Sequence, residues 1–340
     1  AQRDLRQRLG QAAWRRLVVK PWRLENSWDA WATLGLIGGL MVTDLLADGA
    51  YIWLNNPAWK TWAPVSLFVA NLLRPLGGEG LLVLYKTMWW LHLAILYFFA
   101  NFLPYSKHFH VFTSLFNIYF RELEPAKNLK KMDLEAEHFG INKIQDFTWK
   151  QMLDFYTCVE CGRCLENCPT TLTGKPLRPK DFGNDLRDYL KATPLAQMGQ
   201  DQPAPEDRPL IGGPVPEGSV WKREEEHAPW SKAQLEGWIS QDTIWACTSC
   251  GYCEWACPLQ ISFVDKLVGM RRYLTLEESN FPDEAQTAFK GMERQGNPWN
   301  LPQADRAKWA EGLEVPTIAE NPEAEYLFWV GCAGSYDAAG

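Results

Sequence analysis

The run Cys158-Val-Glu-Cys161-Gly-Arg-Cys164-Leu-Glu-Asn-Cys168-Pro169 decides how this chain is read. It recurs as Cys247-Thr-Ser-Cys250-Gly-Tyr-Cys253-Glu-Trp-Ala-Cys257-Pro258. Both copies read C-x2-C-x2-C-x3-C-P, with glycine after the second cysteine. Three cysteines at i, i+3 and i+6 on a tight loop point their sulfurs at one cubane. The fourth leaves the loop and serves the other cluster in two-cluster ferredoxins. The expected ligand sets are therefore Cys158, Cys161, Cys164 and Cys257 for one 4Fe–4S cluster, and Cys247, Cys250, Cys253 and Cys168 for the other. Gly162 and Gly251 let the backbone approach the inorganic sulfides. Zinc is the competing reading, but structural zinc sites use two well-separated ligand pairs, which these three-plus-one runs do not resemble.

Working outward, helices are expected after each motif. Phe182, Leu186, Tyr189 and Leu190 fall at i, i+4, i+7 and i+8. Ser262 is placed to cap a helix whose apolar face uses Val264, Leu267 and Val268. Residues 193–218 are rich in proline and glycine and read as a long loop. Eight of the nine cysteines lie in the two clusters, which points to metal sites rather than a disulfide framework. Reduced thiolates suit the cytoplasmic side of a membrane. A net charge of −7 argues against nucleic acid as a partner.

Ahead of the motifs the chain turns apolar twice. Trp31–Trp53 and Gly80–Leu103 are each long enough, at roughly 35 Å, to cross a bilayer. Pro64–Leu73 is too short and reads as an interfacial or re-entrant piece. Trp22, Trp28 and Trp31 flank one end of the first span, and Trp53, Trp59 and Trp62 the other, as aromatic belts do. A buried soluble hairpin is the alternative. Residues 1–23 carry Arg3, Arg6, Arg8, Arg15, Arg16, Lys20 and Arg23 against Asp4, so this end is expected in the cytoplasm. Two crossings return the chain to that side. Asp48 and Lys86, at equal depth, are expected to pair.

Of the five histidines, His92 lies within the second span, in Trp-Trp-Leu-His. An ionisable residue at that depth is functional by default, and heme ligation is the reading preferred over a structural hydrogen bond. His110 follows 18 residues later and would share a face with His92 on a continuous helix, which Pro104 should kink. His108 is the rival ligand. His138 and His227 read as surface histidines.

With these residues together, the chain resembles membrane-bound heterodisulfide-reductase-like iron–sulfur oxidoreductases, especially the electron-transfer flavoprotein:menaquinone oxidoreductase type. The resemblance rests on Trp89-Trp90-Leu-His92, Pro104-Tyr-Ser-Lys-His-Phe-His110, both cysteine motifs, Met292-Glu-Arg-Gln-Gly-Asn-Pro298 and Val330-Gly-Cys332-Ala-Gly334. It implies a mainly α protein: transmembrane helices of the nitrate-reductase-gamma type (1–120), a linker (121–150), an α-helical two-cluster ferredoxin-like domain (151–275), an extension (276–325) and the beginning of an α/β CCG domain (326–340). In that domain Tyr326–Val330 would be a strand opening a βα unit. The resemblance makes His92 and His110 ligands of heme b. The chain departs from the pattern at both ends and is expected to be a fragment, with partner heme ligands outside it. Cys332 is then expected to complete no metal site here, and to serve a third cluster or a disulfide-handling site only in a longer protein.

The implied function is membrane-bound electron transfer, from a soluble electron-transfer flavoprotein through two 4Fe–4S clusters and heme b to menaquinone. The expected location is the cell inner membrane, multi-pass and lipid-embedded, with the iron–sulfur domain cytoplasmic. A heterodisulfide-reductase-like quinol/thiol–disulfide subunit and a non-catalytic iron–sulfur assembly subunit are the alternatives.

Overall fold

A computed structural model of the chain describes residues 9–24, 26–124, 129, 131–193, 209–222, 225 and 228–337. Arg3, Asp4, Arg6, Arg8, most of the proline-rich loop and His227 lie outside the described residues. The chain divides into two compact units, Ala1–Arg272 and Tyr273–Gly340.

In the first unit, a helical segment ends in a π-helical turn at Arg15–Val19. Helix α1 (Trp28–Asn55) is followed by α2 (Pro64–Leu73) and α3 (Gly77–Phe102). Both α2 and α3 pack against α1. The stretches Trp28–Asn55 and Pro64–Tyr105 are long and apolar enough to cross a membrane. Their outer faces carry exposed Val42, Val83, Trp90, Tyr97 and Phe98, as lipid-facing helices do and the core of a soluble hairpin does not. The short α2 folds back against α1 at Gly49, where a Cβ would come 2.7 Å from Val69 Cγ1.

The expected continuous helix from His92 to His110 does not form. Pro104 sits in a 3-10 turn, Leu103–Tyr105. A second turn follows at Lys107–Phe109, and a new helix, α4 (His110–Tyr119), begins there. Proline has no N–H to give and its ring crowds the preceding turn, so the helix ends instead of kinking. Asp48 and Lys86 also do not pair. Ser66 donates to Asp48 Oδ2 at 3.4 Å, because Asp48 faces α2 while Lys86 is turned outward and exposed.

The cysteine-bearing part is an internal structural repeat. Helix α5 (Trp149–Thr157) opens on a capping box formed by Thr148 and Gln151 and ends at Cys158. Short helices α6 (Arg163–Glu166) and α7 (Pro169–Leu172) follow, then α8 (Pro179–Ala192). After the insertion come α9 (Lys232–Leu235) and α10 (Gln241–Ala246), capped by Ser240 and ending at Cys247. Helix α11 (Tyr252–Trp255) and α12 (Val264–Leu276) complete the second copy. The predicted faces bury as expected: Phe182, Leu186, Tyr189 and Leu190 on α8, Val264 and Leu267 on α12, with Met270 in place of the half-buried Val268. Ser262 does not cap α12. Glu254 Oε1 accepts from the N–H groups of Phe263 and Val264 at 2.7 and 2.8 Å, and a carboxylate at a helix N-terminus also meets the positive end of the dipole.

The second unit holds α13 (Asp283–Gln295), a 3-10 stretch, Gln303–Ala310, and α14 (Cys332–Tyr336). The expected strand is not formed: residues 326–330 carry no regular secondary structure and pair with no strand among the described residues. A β-strand needs a ladder partner for its N–H and C=O groups, and this run has none among the described residues.

Candidate iron–sulfur and heme sites

The two cysteine loops share one backbone. Glu160 and Ser249, each just before the second cysteine, have φ 55°. Gly162 and Gly251, each just after it, have φ 68° and 73°. Left-handed residues on either side of one cysteine curl the loop and turn its sulfurs inward. At Gly162 a side chain is excluded twice, since a Cβ would also strike the Arg23 backbone carbonyl.

The thiols fall into two electrostatic neighbourhoods that exchange their fourth members. Cys158 feels Cys257, and Cys164 feels Cys158, Cys257 and Cys161. Cys253 feels Cys247, Cys168 and Cys250, and Cys247 feels Cys168 and Cys250. Cys164 also feels Cys253, so the two groups adjoin. Burial is the main force on these thiols. It pushes Cys158 up to about 12 and Cys164 and Cys253 well above the ordinary thiol value. Buried thiols whose bare thiolates are disfavoured, as at Cys158, Cys164, Cys247, Cys253 and Cys257, suit a cluster, whose iron stabilises the deprotonated sulfur. Among the described residues no three His, Cys, Asp or Glu side chains converge on a single ion. The three-plus-one spacing of each loop fits cubanes better than the two separated ligand pairs of structural zinc.

Charged side chains absent from the sequence-based expectations hold these loops. Arg23 Nη1 donates to the Cys161 carbonyl at 3.0 Å, and its Nε lies 2.9 Å from Glu166. Glu160 pairs with Lys107 at 2.8 Å and Arg187 at 2.9 Å. Burial alone would raise the Glu160 carboxyl, but these two cations overcome it and hold it below the usual value. Arg271, from α12, donates to the carbonyls of Ile244, Trp245 and Cys247 and to Ser249 Oγ. No motif marks these residues, because each reaches its loop across the fold.

His92 Nδ1 lies 2.9 Å from Thr43 Oγ1, which is also within hydrogen-bond distance of the Gly39 and Leu40 carbonyls at 2.8 and 3.1 Å. This contact engages Nδ1 and leaves Nε2 as the other ring nitrogen. His92 lines a cavity of about 400 Å³ with Asp44, Asp48, Tyr51, Tyr85 and Trp89. His110 Nδ1 donates to the Lys107 carbonyl at 2.8 Å, again leaving Nε2 open. The His108 ring is 5.2 Å from that of His110, and its buried Nδ1 has no partner. Burial, then the neighbouring His110 and Lys107, hold His108 below the ordinary imidazole value against Asp29. His138 is exposed and lies 3.4 Å from Asp146. Cys332 accepts from Arg306 Nη2 at 3.3 Å.

Comparison with known proteins bears on the cysteine-bearing part. Residues 154–261 match the 4Fe-4S dicluster domain. The chain is 38% identical, over 97% of its length, to a protein from Bacillus subtilis named probable iron-sulfur-binding oxidoreductase FadF, covering 49% of that protein. It is 34% identical, over 95% of its length, to the EtfAB:quinone oxidoreductase of Syntrophomonas wolfei, covering 47% of it. Over 61% of its length it is 34% identical to a probable membrane-anchored ferredoxin from Chromohalobacter salexigens, covering 29% of it. The chain thus spans about half the length of the first two relatives. No solved structure matches it.

Proposed function

We propose that this chain, which carries a 4Fe-4S dicluster domain and is similar to iron–sulfur oxidoreductases of the heterodisulfide-reductase-like kind, is the membrane-anchored electron-transfer part of a quinone-linked oxidoreductase. The observation that carries this reading is the exchange of fourth cysteines between two adjoining thiol groups. Cys158, Cys161, Cys164 and Cys257 are read as ligands of one 4Fe–4S cluster, and Cys247, Cys250, Cys253 and Cys168 of the other. Two such clusters supply adjacent one-electron centres. The engagement of His92 Nδ1 by Thr43 supports a role for Nε2 as heme b ligand, since outer partners of ligating histidines hold the other ring nitrogen in this way. His110 and His108 are candidates for a second ligand position. The electron-transfer flavoprotein is read as donor, menaquinone as acceptor and the cell inner membrane as location, with the iron–sulfur domain cytoplasmic. Thiol–disulfide chemistry in a longer protein containing Cys332 is the second reading, favoured by the similarity to a heterodisulfide reductase component from Methanosarcina barkeri.

Anaerobic metal analysis and EPR of the purified protein test this. Cys257→Ser should impair the cluster of the first loop and spare that of the second, and His92→Ala should lower heme absorbance. Zinc without iron, or a loss confined to the second loop's cluster on replacing Cys257, would overturn the assignment.

A further inference from the structure

Helix α4 is built inside out. Its two buried residues are polar: Thr113 is 6% exposed and Asn117 0%. Asn117 Nδ2 donates to the Leu259 carbonyl at 2.9 Å, in the loop after Cys257-Pro258. The opposite face carries Val111, Phe112, Leu115, Phe116 and Tyr119, each more than half exposed. Spaced i, i+1, i+4, i+5 and i+8, these side chains form one stripe. A surface helix of a soluble domain is patterned the other way, apolar inward.

What covers the stripe follows from where the helix sits on the chain. The apolar stretch Pro64–Tyr105 ends five residues before His110, and five extended residues reach at most about 18 Å. The helix therefore starts close to the bilayer boundary. The same pattern stands before the first long helix. Trp14, Leu17, Val18 and Val19 are each more than half exposed, beside exposed Arg15 and Lys20. Both elements lead to the first cysteine loop, Arg23 bonding Cys161 and Lys107 bonding Glu160. They accordingly lie at the same end of the helix pair.

We propose that α4 and the Trp14–Val19 turn lie in the membrane plane at the headgroup–acyl boundary, with lipid as the occupant of their apolar faces. The iron–sulfur domain is then seated on the bilayer instead of being tethered above it. Interfacial helices bury their apolar face about 5–10 Å into this boundary, and neighbouring basic side chains favour anionic lipid. Here the polar side that usually faces water is taken by the domain itself, through Asn117.

This inference rests on the reading that the two long helices cross the bilayer. Its test separates the two claims. Single variants Val111→Cys, Leu115→Cys and Phe116→Cys of the cluster-loaded protein are spin-labelled in nanodiscs of anionic and zwitterionic phospholipid, with the unsubstituted protein as label background. Collision with oxygen, which partitions into lipid, is compared with collision with a water-soluble nickel chelate. Leu96→Cys, on α3, serves as lipid control and Glu135→Cys as water control; cluster absorbance verifies folding. Oxygen preference at positions 111, 115 and 116, approaching that of position 96, is expected. Nickel access equal to that of position 135, or shielding from both reagents as a covering protein would give, overturns the proposal while leaving the spans intact. Absence of oxygen preference at position 96 overturns the spans and the proposal with them.

Discussion

At the scale of single residues, the interior of the cysteine-bearing part is organised around a buried charge. Lys266 is 1% exposed and lies 2.8 Å from Asp154, also 1% exposed, with Asp265 at 3.4 Å. Burial alone would lower the Lys266 value, but these carboxylates overcome it and raise it above the ordinary 10.5. A cation whose value is raised by folding contributes stability that is complete below the unfolded value. That contribution disappears as pH climbs through the folded one. Thermal stability of the intact protein should therefore fall above pH 10.5 by an amount that Lys266→Met no longer shows. At neutral pH the variant leaves Asp154 with Lys150 alone, 2.8 Å away. Breaking a buried pair costs about 3–5 kcal/mol, and the remaining lysine puts the expected loss at the lower end. Asp154→Leu/Lys266→Met should recover most of it, and scanning fluorimetry of the two variants reads the difference.

At the scale of elements, each cysteine loop hangs between a capped helix and a short one, and a remote arginine closes it. Arg271 closes the second loop, making hydrogen bonds to three carbonyls and one hydroxyl. A hydrogen bond from a charged donor is worth about 1.5–3 kcal/mol. Losing even one corresponds to roughly tenfold in an equilibrium or rate. In Arg271→Met, iron release to a chelator from the second loop's cluster should accelerate about tenfold or more. The first loop's cluster should keep its native rate. Equal acceleration of both would mean that Arg271 supports the domain generally and not this loop.

At the scale of the molecule, the iron–sulfur domain is fastened to the end of the two long apolar helices by a small set of polar contacts. Lys107, just past the second apolar stretch, donates to Ser27 and Glu160, and its backbone N–H donates to Asp29. Lys107 and Glu160 are both 9% exposed. Replacing Lys107 by Met leaves Glu160 with Arg187 only, at an expected cost of up to about 3 kcal/mol. The melting temperature should fall by several degrees, at about 2–4 °C per kcal/mol. Lys107→Arg, which keeps the charge, should retain most of it. An unchanged melting temperature in Lys107→Met would show that the fastening lies elsewhere.

The sequence by itself determined the two cysteine loops, the buried faces of α8 and most of α12, and the two long apolar helices. Each is a local pattern, a spacing or a period, and local patterns survive in any context that buries one face. It also exposed Pro104, whose missing N–H fixes where the second long helix stops. Only the tertiary structure decided the rest. Glu254 and not Ser262 caps α12, Asp48 turns to Ser66 and not Lys86, and Thr43 engages Nδ1 of His92. Arg23, Lys107, Arg187 and Arg271 hold the cysteine loops, and α4 faces its polar side inward. In every one of these, the partner lies far along the chain or on another helix. Its choice depends on which side chains meet once the backbone is folded, and on the cost of leaving a buried donor, acceptor or charge without a counterpart.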